Sequence, residues 1–195
     1  MRRPGSRRPL PPRPQALAGA ILENTRPPGT STGNVHGVLL AQLNIGLPAA
    51  PLTEPELAGF VEALEPVNAL ADVAPGFVWR LQTEDGDATA IRPFDDDRLI
   101  VNMSAWSSVE ALAAFVYSGA HRAIMVRRRE FFVPMREAFQ VLWWSADVPT
   151  LGEAVVRLEH LRAHGPTPHA FTFRKPFPAP DGAPVHRDDG WFCPA

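Results

Sequence analysis

Of the six histidines in the chain, His121 is the one best placed to do chemistry: it falls near the start of a helical stretch, beside Arg122. An unperturbed imidazole titrates at about pH 6.5, within the range where a general acid or base is effective. A surface or capping histidine is the plainer alternative. Three polar side chains, Asn44, Asn102 and Ser104, share a phase on strands that are otherwise apolar. A semi-buried amide costs free energy unless it is hydrogen-bonded, so these must bond one another, water or a ligand. Arg80 has the equivalent phase on its own strand. With Trp79, Trp106 and Trp144 as walls, the set is suited to orient a polar group inside an aromatic pocket. Mutual satisfaction across a dimer interface is the competing explanation.

Other chemistry is poorly supported. His160 and His164 stand four apart, but no third metal ligand is near in sequence, so no metal site is expected. Asp95–Asp97 lacks the spacing of a calcium loop, and Arg127–Arg129 with Glu130 reads as a solvated helix face. A glycine-rich phosphate loop, a Gly-x-Ser-x-Gly elbow and a cysteine nucleophile are all absent.

The elements that must position these residues follow from hydrophobic periodicity. Val38–Ile45 alternates as a first strand, with Leu39, Ala41, Leu43 and Ile45 on one side. Thr53 with Glu56 forms a capping box for a helix whose stripe is Leu57, Phe60, Val61 and Leu64, broken or kinked at Pro66. Gly76–Gln82 is the second strand, and Arg98–Ala105 the third, leading into a corner at Trp106. Ser107 with Glu110 opens the next helix, Ala120–Met135 is a further helix, and Phe139–Ala146 is the fourth strand. Thr150 with Glu153 caps a last helix ending at His164, and a proline-punctuated aromatic segment then lies along the domain surface.

This order predicts an α+β fold: a ferredoxin-like β-α-β-β-α-β sheet with helices on one face, an extra C-terminal helix and an extended tail. Both strand faces are largely apolar, so the uncovered one needs a partner; a second copy would make a dimeric α/β-barrel. The polar set belongs to the face away from the helices.

Residues 1–34 are rich in Arg and Pro and read as a disordered leader, with translation starting at Val35 as a further reading. A proline-rich ligand segment is the functional alternative. The domain then covers 35–178 and a flexible tail 179–195. With 45% hydrophobic and 21% charged residues the chain has ordinary globular composition. A net charge of -2 and a pI near 6.3 argue against nucleic acid or an anionic membrane as partner. No apolar run is long enough to span a bilayer, and no secretory signal is visible. The lone Cys193 permits no internal disulfide, which fits the cytoplasm. Eighteen Arg against one Lys, with 22 Pro, points to a GC-rich bacterial coding sequence.

From Val38 to about Pro178 the chain resembles the bacterial family called domain of unknown function 3291. The resemblance is carried by LAQLNIG, PGFVWRLQ, RLIVNMSAWSSVEALAAFVYSGAHR, and VLWW followed by LEHLRAHGPTPHAFTF. It implies a dimeric α/β-barrel. A wider superfamily of cofactor-free antibiotic-biosynthesis monooxygenases and heme-degrading monooxygenases is similar in its strand–Trp–helix–His layout. By position, the Asn, Trp and His of the heme degraders look like Asn44, Trp106 and His121, although the Trp-to-His spacing is longer here.

The resulting expectation is a homodimer that binds a small apolar molecule, with no cofactor. His121 would act as acid or base, Asn44, Arg80 and Asn102 would orient the substrate, and the chemistry would be monooxygenase-like. A non-catalytic carrier is the first alternative and heme binding the second. A closed cavity touching His121 and Asn102 would favour the ligand readings.

Overall fold

In the computed structural model, which describes residues 37–117 and 119–180, the alternating runs become four strands. They are β1 (Leu39–Gly46), β2 (Phe77–Arg80), β3 (Ile100–Trp106) and β4 (Gln140–Ser145). Every pairing is antiparallel, in the order β2-β3-β1-β4. Five helices occur among the described residues: α1 (Ala58–Asp72), α2 (Val109–Val116), α3 (Gly119–Val126), α4 (Arg128–Phe131) and α5 (Leu151–His164). The fold is therefore α+β, and its described part belongs to one compact unit. The expected leader 1–34, most of the tail and Cys193 lie outside the described residues.

Residues directly opposite one another in a ladder share a face. The registers thus sort the sheet into two faces. One carries Ala41, Leu43, Ile45, Val101, Met103, Val141 and Trp143, all buried, packed against Ala154, Leu158 and Leu161 of α5. This sealed face also receives Ile91 and Phe94 from the long β2–β3 connection. It holds one anomaly: the Trp143 indole N–H is buried without a hydrogen-bond partner. The other face carries Leu40, Trp106 and Leu142, packed against Val109, Leu112 and Val116 of α2.

Helices therefore cover both faces, not one. The helix expected as an extra lies on the face that a second copy was expected to fill, and it buries that face within a single chain. The polar phase of Asn44, Asn102 and Ser104 is the phase of Leu40 and Trp106, so these residues lie on the α2 face instead of away from the helices.

Local chemistry explains the shifted boundaries. Thr53 caps nothing: a 3-10 turn, Pro55–Leu57, with Glu54 at its N-cap, intervenes before α1. Pro66 does not break α1; it is exposed, so the Glu62 carbonyl that it leaves unpaired can bond water. Ser107 extends the strand by donating its N–H to the Gly76 carbonyl at 2.7 Å, and Ser108 becomes the α2 cap, accepting from Ala111 N at 3.1 Å. Trp106 accordingly ends β3 instead of forming a corner. The turn before β2 needs glycine: Gly76 has φ 81°, and a Cβ there would stand 2.5 Å from Ser107 Oγ.

The single helix expected over Ala120–Met135 is instead α3 and α4, after which the chain turns extended. Val133 N bonds Leu47 O and Ala49 N bonds Phe131 O, both at 2.9 Å, so backbone pairing outcompetes helix there. The aromatic segment after Gly165 runs along the edge of the fold with Pro168, His169, Arg174 and Lys175 exposed, but it is also tied into the sheet. Phe171 exchanges two 2.8 Å backbone bonds with Leu142, and Ala170, Phe171 and Phe173 are buried. It screens the outer edge of β4, which would otherwise offer unpaired backbone groups.

Candidate functional site

The α2 face is graded along the strands. Its first cross-strand row, Trp106–Leu40–Trp144, lies in the apolar cluster beneath α2. The next row is Ser104–Gln42–Leu142, and the third is Asn102–Asn44–Gln140. In that amide row Asn102 is exposed although its strand neighbours Val101 and Met103 are buried. Solvent thus reaches this face where β4 begins and the β2 pairing has ended. Beyond the row, Gly46 comes so close to Phe132 that a Cβ would meet the ring at 2.7 Å. Phe132 in turn packs edge-on against Phe60 of α1, with centroids 4.9 Å apart. Phe132 thus stands near the amide row on one side, while Trp106 and Trp144 lie two rows away on the other.

Hydrogen bonds tie the first two rows to the third. Trp106 Nε1 donates to Ser104 Oγ at 2.9 Å. Gln42 Nε2 donates to the same Oγ at 3.1 Å and to Asn102 Oδ1 at 2.7 Å. On the helix side, Trp106 stacks on Phe115 at 5.3 Å, and Phe115 meets the His121 ring at 5.0 Å. A continuous series of contacts thus runs from His121 through Phe115, Trp106, Ser104 and Gln42 to Asn102.

His121 has a defined chemical state. Its Nδ1 lies 3.0 Å from the Val116 carbonyl, which can only accept, so the proton is on Nδ1 and Nε2 carries the lone pair. Burial lowers its pKa from the ordinary 6.5, against a smaller rise from the bond to Val116. The ring is neutral at physiological pH, with Nε2 a basic nitrogen.

The other expected site residues are dispersed. Arg80 is committed to structure: Nε and Nη2 bond the Asp72 carboxylate at 2.8 and 3.2 Å, and Nη1 bonds Gly86 O at 2.6 Å. It pins the end of α1 to β2 and the following loop, apart from the amide row. Trp79 pairs with Ala105 and packs in the core of the sealed face, across the sheet from Asn102. Trp144 is on the α2 face, but its Nε1 is held by Phe177 O at 2.8 Å. Asn44, Asn102, Ser104, Trp106 and His121 remain as one connected region. Gln42 and Phe115 belong to it and were missed. Gln42 had the signal, an amide in phase with Asn44 on the same apolar strand; Phe115 had none.

Two surface clefts open elsewhere. One of about 600 Å³ lies between the Ala74–Gly76 turn and α2, reaching Phe115; one of about 420 Å³ runs along α1 past Asp72 and Arg80. Neither is lined by His121 or Asn102, so the expected closed cavity is not among them. The structure adds His169 to His160, with centroids 4.7 Å apart, and His164 is 4.6 Å away on the other side. They do not form a metal centre: His169 Nδ1 faces the Arg157 guanidinium at 2.6 Å, His160 Nε2 bonds Thr167, and no metal-binding cluster exists among the described residues. No helix among the described residues is long and apolar enough to cross a membrane.

A family model described as Domain of unknown function (DUF3291) matches residues 39–187, which include the whole sheet and all five helices. No curated protein matches the chain. The chain belongs to the DUF3291 family.

Proposed function

We propose that this DUF3291 member binds a small, largely apolar molecule over the amide row. In monooxygenase-like chemistry dioxygen would be the oxidant and the substrate the electron source, one oxygen atom entering the product and the other leaving as water. His121, beyond Phe115 and the buried Trp106, would be the acid or base for a ligand that extends toward α3. The observation that carries this is the exposed Asn102 amide. It stands amid buried strand residues and is linked by packed and hydrogen-bonded groups to a neutral imidazole with a free basic nitrogen. A fold selected only for stability gains little from leaving an amide uncovered between buried strand neighbours and then orienting it. Phe132 beyond Gly46 supplies apolar contact, and the amides supply orientation.

A non-catalytic carrier with the same site is the alternative. Oxygen consumption on a panel of phenols, with His121→Ala as control, separates the two. Uptake that the variant lacks supports the enzyme, binding without uptake supports the carrier, and neither binding nor uptake removes both. Heme, the second alternative, has less support, because His121 lines neither described cleft. A hemin Soret band lost in His121→Ala would restore it.

The strand order and antiparallel registers support a ferredoxin-like arrangement and, through it, the monooxygenase-like superfamily. In a homodimer the second copy would bury exposed apolar side chains of α1 and its C-cap, Val61, Leu70 and Val73, since α5 already covers the sealed face. Sedimentation as a monomer at micromolar concentration would remove the dimer. A reducing, cytoplasmic setting fits the lone cysteine.

A further inference from the structure

The geometry points to Asn102 as a hydrogen-bond donor for an uncharged acceptor oxygen on the ligand, a carbonyl by class, with Gln42 and Ser104 as positioning residues that set its polarity. This rests on the ligand-binding reading above and specifies what that ligand must present.

The orientation of one buried amide, Gln42, sets this polarity. A side-chain amide has two N–H groups at one end and only lone pairs at the other. Gln42 is buried, and its Nε2 directs one hydrogen to Ser104 Oγ and the other to Asn102 Oδ1. Ser104 Oγ also receives the Trp106 indole N–H, so its two lone pairs are both engaged. As the Gln42 amide is oriented, it presents its N–H groups to both neighbours, so the buried rows end in a donor and that donor takes the oxygen end of Asn102. The Asn102 Nδ2 end is turned away from Gln42, on a residue open to solvent.

Charge selects the kind of acceptor. The row neighbours of Asn102 are Asn44 and Gln140, both neutral amides. The one cation of the same phase, Arg80, is closed in by Asp72 and Gly86. Recognition here depends on neutral N–H groups against an apolar surround, which suits a ketone or similar carbonyl better than a carboxylate or phosphate.

Calorimetric titration of the full-length chain with three probes on one skeleton tests this: 1-tetralone (ketone), 1-tetralol (hydroxyl) and tetralin (no oxygen). The ketone should bind roughly 3- to 10-fold more tightly than tetralin, the range that one hydrogen bond between uncharged groups supplies. Asn102→Asp, which replaces the donor by an acceptor at an exposed position, should erase that preference while circular dichroism stays unchanged. Gln42→Glu offers only acceptors, so the Asn102 amide should turn round and the preference should move to the alcohol. Equal affinity of the wild-type protein for ketone and tetralin, preference for the alcohol, or a ketone preference that survives Asn102→Asp would overturn the assignment. Binding of none of the three would count against the ligand-binding reading itself, and the assignment would fall with it.

Discussion

The two faces of the sheet are built from the same strands but to different ends. The sealed face is apolar except for Ser145 opposite Leu39, and α5 covers it so fully that Leu43, Val141, Trp143, Ala154 and Leu158 have no exposure at all. The α2 face begins the same way at Leu40 and Leu142, then gives way to Ser104 and Gln42, and ends in exposed Asn102. Burial alone would have favoured continuing the apolar pattern. The difference teaches that one face supplies stability and the other gives up some of it to hold polar groups in a fixed orientation.

Substitutions on each face should break or sharpen this contrast. The largest effect belongs to the sealed face: Leu158→Ala should cost about 2–5 kcal/mol in a urea melt, as removal of a fully buried leucine does, without altering ligand affinity. A cost well below that range would mean that α5 is loosely docked and the second face is open. Ser104→Ala is next. It leaves the buried Trp106 N–H and one Gln42 hydrogen without their acceptor, at roughly 1–3 kcal/mol; unlike Leu158→Ala it should also weaken binding, because the Asn102 amide loses its anchor.

A pH titration of stability gives a third comparison. Folding lowers the His121 pKa below its ordinary 6.5 through burial, so between the two values the unfolded chain binds more protons than the folded one. The neutral ring's contribution is complete above about pH 6.5 and is lost as pH falls through the window below it. Replacing His121 by Gln should flatten that slope. The slope that remains is assigned to the exposed His169, whose pKa is lowered by desolvation, Arg157 and His160. The smallest stability effect is expected for Asn102→Ala, about 0.5–1.5 kcal/mol, the net worth of its one bond from Gln42 where water can replace the lost amide, yet this variant should lose ligand preference. Large destabilisation by Asn102→Ala would make the amide row a structural network and not a recognition surface.

Much of the framework was legible in the chain. Period-two alternation placed all four strands within two or three residues, and Thr150 capped α5 as its spacing to Glu153 implied, accepting from Glu153 N at 3.2 Å. The phase of Asn44, Asn102 and Ser104 was also readable, because a strand's alternation is a local property. What they faced was not. Phase tells which residues share a side; it does not tell which helix lies over that side. The same limit misplaced Trp79, one residue from Arg80 and so across the sheet from the amides. It also left Arg80 looking free, since Asp72 and Gly86 reach it only through the packing of α1 and the loop.

The sequence by itself determined the four strands, the polar interruption of one face and the imidazole on a helix, because each depends on spacing along the chain. Tertiary structure decided that α5 seals the opposite face. It also set the state of His121, whose Nδ1 proton is fixed by the carbonyl of Val116. The amide polarity of Asn102 was decided there too, by Gln42 on a neighbouring strand. These are properties of donors and acceptors meeting across the fold, which no local pattern encodes.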